Sequence, residues 1–95
     1  MITFILYTRA GCHLCEDMQT HLSSLQNDHP FALEVRNVDE DPDWSEKFDD
    51  KVPVLFLGDH EICRYFLDLV KVKDIFLKKY MEIRVNLIQI FMNYI

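Results

Sequence analysis

Two cysteines three residues apart, Cys12 and Cys15, stand directly after an apolar run and at the head of an amphipathic stretch, and this placement constrains the chain more than any other feature. Thiols at that spacing can join only if the backbone between them turns. The first turn of a helix does this, because residues i and i+3 lie on one helix face at a separation a disulfide can span. The first cysteine would then sit at the helix N-terminus, where unpaired N–H groups and the helix dipole stabilise an anion. The anion in question is the thiolate, the reactive form of cysteine.

The flanking segments supply what such a helix needs on either side. Ile2 to Tyr7 is apolar throughout except for Thr3 and rich in β-branched and aromatic residues, the pattern of a strand covered on both faces. It leads through Thr8-Arg9-Ala10 to Gly11, one of only two glycines, placed where the backbone must turn sharply or approach a neighbour closely. Leu14, Met18, Leu22 and Leu25 then recur at helical spacing, and Cys15 joins their stripe, which predicts an exposed Cys12 and a buried Cys15. After the polar break Gln26–Pro30, alternation of Phe31, Leu33 and Val35 with Ala32, Glu34 and Arg36 predicts a half-buried strand to about Val38. Strand, helix and strand make one right-handed βαβ unit over residues 2–38.

The second half repeats the logic with shorter elements. Asp41 and Pro42 are the N-cap and first residue of a second helix, with Trp44 and Phe48 on its buried face. The acids around it, Asp39, Glu40, Asp41, Asp43, Glu46, Asp49 and Asp50, read as a solvated face rather than a metal site. Lys51–Leu57 is an apolar strand containing Pro53, Gly58–Glu61 is a turn, and Ile62–Phe66 pairs back as a hairpin. A third helix is expected over 67–80, with Leu69, Val72, Ile75, Phe76 and Lys79 or Tyr80 along one side. Residues 83–95 are apolar almost all round and form an atypical helical extension. Their eleven uncharged residues after Arg84 are too few to span a bilayer, which leaves packing on the core or an apolar surface for a homodimer. The expected class is therefore α/β, one domain over residues 1–95.

Composition narrows the function. Of 95 residues, 49% are apolar and 27% charged, as in a folded globular protein, and the formal net charge is −6. An acidic chain with no Lys/Arg cluster offers no footprint for a nucleic-acid backbone and is repelled by an anionic membrane surface. Three cysteines are too few for a stapled secreted scaffold, and no secretory signal precedes the first strand. A close C-x-x-C in that context reads as redox or metal chemistry in the cytoplasm.

The order β-C-x-x-C-α-β-α-β-β-α, with Val52-Pro53 leading the third strand, resembles the thioredoxin fold in its small glutaredoxin-like form. The likeness runs from residue 1 to about 80. It implies a four-stranded mixed sheet flanked by helices, a cis Pro53 lying against the thiol pair, and a thiol–disulfide oxidoreductase with no bound cofactor. Cys12 would be the nucleophile and Cys15 the resolving thiol. Arg9, Gly11, His13, Leu14, Val52, Pro53, Cys63 and Arg64 would line the substrate side. The partner would be a disulfide-containing protein or a glutathione mixed disulfide, with glutathione as an electron donor. Two departures bear on glutathione rather than on the dithiol. His13-Leu14 replaces the usual tyrosine-containing dipeptide, and Cys63-Arg64 stand nearest to a Gly-Gly that lets glutathione approach the backbone.

A free thiol near pKa 8.5 is only a few per cent ionised at neutral pH, and bringing it to about 7 takes roughly 2 kcal/mol, close to the most a helix N-terminus supplies. Arg9 and protonated His13 are expected to add to that pull, while Glu16 and Asp17 oppose it. Three alternatives stand beside the redox reading. The pair could be structural; it could hold zinc with two of Cys63, His13, His21, His29 and His60; or the fold could bind peptide, glutathione or metal without turnover. Cys63 is either a core residue or a third redox thiol.

Overall fold

The computed structural model describes the backbone of residues 1–93 and the side-chain surroundings of residues 1–81. Four strands, β1 (Ile2–Thr8), β2 (Phe31–Asn37), β3 (Val54–Leu57) and β4 (His60–Arg64), form one sheet in the order β2-β1-β3-β4. β1 and β2 run parallel, with α1 (His13–Leu25) as their crossover, and β3 and β4 are antiparallel additions on the other side of β1. This is the mixed four-stranded sheet that the motif order implies.

β1 explains why the sheet is covered on both faces. Phe4 and Leu6 point to one side, where they meet Met18 and Leu22 of α1, Leu55 of β3 and Val72 of α3 (Leu69–Asn93). Ile5 and Tyr7 point to the other, where α2 (Pro42–Phe48) closes over them with Trp44 and Phe48. The register preserves the division: Leu6 pairs with Leu55 on the first face, and Tyr7 with Val54 on the second. The Tyr7 ring lies 4.3 Å from that of Phe48 and meets Trp44 edge-on at 5.8 Å.

The second helix starts as the sequence indicates, whereas the third starts at Leu69, two residues later than expected, because Asp68 caps it. Asp41 accepts a hydrogen bond from the Asp43 N–H with Pro42 in the first helical position, and Asp68 does the same service for α3 by accepting from the Lys71 N–H. Between β3 and β4 the turn is only Gly58-Asp59, and Gly58 has φ +59°, the value a II′ hairpin turn demands at its first central residue.

Several expectations need correction. The third helix and the helical extension expected after it are one element, unbroken to Asn93, because no glycine or proline separates them. It packs through Val72, Ile75 and Phe76, whereas Leu69 and Tyr80, placed on its inner side from periodicity, are exposed. Leu77 and Met81 are exposed as well. Val35 also faces solvent, because β2 is an edge strand and the helices cover it incompletely there. A short 3₁₀ turn, Val38–Glu40, follows β2 and buries Val38 against Tyr7 and Phe48. How the side chains of the apolar extension pack, and any homodimer contact they make, lies outside the described residues. Among the described residues, no helix is long and apolar enough to cross a membrane.

Candidate functional site

The loop between β1 and α1 makes a tight turn whose closure is set by backbone geometry. The Cys12 N–H donates to the Arg9 carbonyl at 3.3 Å, and Gly11, third of the four turn residues, has φ +75°. That is the position where a type II turn needs a positive φ. A Cβ at Gly11 would meet nothing within 4 Å, so glycine is required there for its conformation and not for a close approach.

Cys12 is the N-cap of α1. Its Sγ accepts a hydrogen bond from the Cys15 N–H at 3.1 Å, the bond a capping serine oxygen would otherwise make. Cys12 and Cys15 are joined as a disulfide, with their Cα atoms 5.1 Å apart. Cys12 is half-buried rather than fully exposed, while Cys15 retains only 2% exposure. When the pair is reduced, an N–H aimed at Sγ favours the charged sulfur over the neutral one.

The charged neighbours are arranged differently from expectation. Arg9 does not offer its charge to Cys12. Its Nε binds Asp39 Oδ1 at 3.2 Å and its terminal nitrogen donates to the Asp49 carbonyl at 2.8 Å. It thereby ties the turns after β2 and α2 to the cysteine loop. His13 is almost fully exposed, 3.8 Å from Glu16, so each offsets part of the other's effect on the thiol. Arg64 is paired with Glu61 on its own hairpin.

Val52-Pro53 is cis, in agreement with the resemblance. Pro53 is fully buried, Val52 packs on the α2 face, and the Pro53 carbonyl accepts the Tyr65 N–H at 2.8 Å. Tyr65 has φ +68°, the only side-chain-bearing residue with positive φ among those described. The glycine-like backbone position therefore falls at Tyr65, one residue beyond the Cys63-Arg64 pair named from sequence. Tyr65 and Phe66 stand over a hollow of about 280 Å³ that Leu14, Met18 and His21 share. Sequence reading passed over these two aromatics, although adjacent aromatics in a strand-to-helix connection were the available signal.

Cys63 lies opposite Leu55 on the α1/α3 face and packs against the Phe4–Leu6 core. Burial pushes its thiol above the ordinary range, and the Asp68 backbone hydrogen bond offsets this only in part. Such a thiol is a poor nucleophile at neutral pH. The folded state thus holds the Cys63 proton more tightly than the unfolded chain. That stabilisation is complete below about pH 8.5, the unfolded thiol value, and is lost as pH rises through the higher folded one. With the Cys12–Cys15 disulfide closed, the stability gap between wild type and Cys63→Ala, measured by urea unfolding, is expected to narrow from pH 7 to pH 10. A gap independent of pH would contradict this.

Among the described residues, no three His, Cys, Asp or Glu side chains are grouped to hold a metal ion. Of the candidate ligands, His29 stacks on the Phe76 ring at 4.6 Å.

Comparison with known proteins adds to this geometry. Residues 3–77 match the model of the glutaredoxin-like domain (DUF836). Protein Ne2328 from Nitrosomonas europaea, a solution NMR structure, is 41% identical, with 77% of this chain and 88% of that one covered and a TM-score of 0.69. Thioredoxin 1 from the thermophilic eubacterium Thermosipho africanus shares the fold at 20% identity, covering 87% of this chain and 98% of its own with a TM-score of 0.55. A malarial protein does so at 16% identity, covering 82% and 96% with a TM-score of 0.59. No curated protein matches the chain.

Proposed function

The chain belongs to the glutaredoxin-like domain family and has a thioredoxin-like fold, and from that premise we propose that its Cys12–Cys15 pair works as a thiol–disulfide oxidoreductase. The observation that carries the proposal is the hydrogen bond from the Cys15 N–H to Cys12 Sγ, at the head of a thirteen-residue helix. It gives one sulfur both access and anion stabilisation, and leaves the other beneath it.

The chemistry follows from that difference. Cys12 thiolate attacks one sulfur of a substrate disulfide, the substrate S–S bond breaks, and the departing thiolate takes a proton from water. The Cys15 thiol loses its proton and attacks Cys12 Sγ. The second substrate thiolate leaves, and Cys12–Cys15 holds the oxidation that the substrate has lost. Two molecules of a thiol donor such as glutathione would return the pair to its reduced form. A reducing compartment such as the cytoplasm is the setting this turnover needs.

Mixing the reduced protein with bis(2-hydroxyethyl) disulfide tests the reading without a donor system. The expected result is one disulfide reduced per protein, with the protein losing two hydrogens by mass and Cys12–Cys15 closed by peptide mapping. A protein that stays fully reduced under excess disulfide overturns it.

A further inference from the structure

The hollow under Tyr65 and Phe66 has a neighbour along α1. A second hollow of about 380 Å³, lined by Ser24, Leu25, Asp28 and Leu69, shares His21 and Leu67 with the first. Through those two shared residues the hollows adjoin, and we take them as one trough that starts at Leu14, which stands between the two cysteines in the sequence, and follows α1 toward its C-terminal end. Leu14 to Leu25 spans about 16 Å at 1.5 Å per residue, the length of roughly five extended residues.

The walls are apolar and the charge is of one sign. Tyr65, Phe66 and Leu69 are exposed on the side formed by the connection from β4 to α3, and Phe66 keeps 70% of its surface in water. Asp17 and Asp28 belong to the α1 side, and neither has a cationic partner among the described residues. Arg9, Arg36 and Arg64 are each paired with other acids. An apolar trough of that length, with two uncompensated carboxylates and its first residue, Leu14, two positions from Cys12 in the chain, is complementary to an extended cationic chain.

We infer that the trough holds a polypeptide segment carrying the substrate disulfide, with an apolar side chain against Leu14, Tyr65 and Leu67 and Lys or Arg residues at Asp17 and Asp28. The inference rests on Cys12 as the attacking thiol for its chemistry, but the binding it describes stands apart from turnover. It makes the substrate a basic, apolar polypeptide rather than a small anionic thiol compound.

Two disulfide-bonded peptides, identical except that one carries Lys and the other Glu near an apolar residue, test it. The reduced protein should react with the Lys peptide at least fivefold faster at low ionic strength, with the ratio falling toward one at high salt, as exposed charge pairs do. In the Asp17→Lys, Asp28→Lys double variant the ratio should invert. The ratio cancels any change in Cys12 reactivity, because both peptides meet the same thiol. In parallel, fluorescein-labelled versions with Ser in place of Cys report binding to the oxidised protein by anisotropy. If neither peptide disulfide nor bis(2-hydroxyethyl) disulfide is reduced, the oxidoreductase reading falls, and charge-selective binding of the Ser peptides still decides the trough. Equal rates and equal binding for the two peptides, or a selectivity that survives the double variant, would overturn the inference.

Discussion

Replacing the first cysteine, Cys12→Ser, is expected to lower the rate constant for reduction of a small disulfide by roughly 10³-fold or more, since a hydroxyl at neutral pH has almost none of the thiolate's nucleophilicity. Fold should be preserved, because serine is among the best N-caps and its oxygen can accept the Cys15 N–H as Cys12 Sγ does. Cys15→Ser should behave differently. Cys12 still attacks, but nothing beneath it displaces the substrate, so the mixed disulfide accumulates and the protein gains the mass of one substrate half. Because residue 15 is buried, a serine there leaves a hydroxyl among apolar neighbours, and Cys15→Ala provides the same test without that cost. Intact-mass measurement after mixing separates the two roles. Trapping on the Cys12 variant instead of the Cys15 variant would reverse their assignment.

The largest stability effect is expected at Phe4. Its side chain is fully buried under α1 and α3, with its ring meeting Phe31 edge-on at 5.2 Å and Phe76 at 6.0 Å. Phe4→Ala removes that contact from the first face of the central strand and leaves a cavity, at a cost of about 3–5 kcal/mol. Against a total of roughly 5–15 kcal/mol for a domain, that is about a fifth of the stability or more. Urea unfolding should show a lower midpoint with little change in slope. A loss below about 1 kcal/mol would mean that the site collapses to fill the space, and that α3 is held less by this cluster than its packing indicates.

Both experiments probe a molecule whose outline was readable from local pattern. The apolar run before Cys12, the helical spacing of Met18 and Leu22 after it, and the Asp41-Pro42 cap each depend on interactions within a few residues, and each appears where the pattern puts it. The buried state of Cys15 follows from the same spacing. Where chain neighbours carry too little information, the reading failed or stayed open. The run Ile2–Tyr7 is apolar at every position but Thr3, so alternation cannot say which side faces α2. Val35 alternates correctly yet lies in an edge strand, and edge position is a property of strand order.

What the sequence determined by itself is the reactive unit: a turn closed by Gly11, a sulfur at the N-cap and a second sulfur one helical turn on. These follow from φ preference and helix periodicity, which act over three or four residues. Only the tertiary structure decided what surrounds that unit. It gave Arg9 to Asp39 and Asp49, brought the Tyr65 N–H to the Pro53 carbonyl, buried Cys63 against the core and set Phe66 across a trough from α1. Each of these joins residues distant along the chain. Which of several acids an arginine meets, or which face a thiol shares, is settled by how the sheet orders its strands and not by any spacing along them.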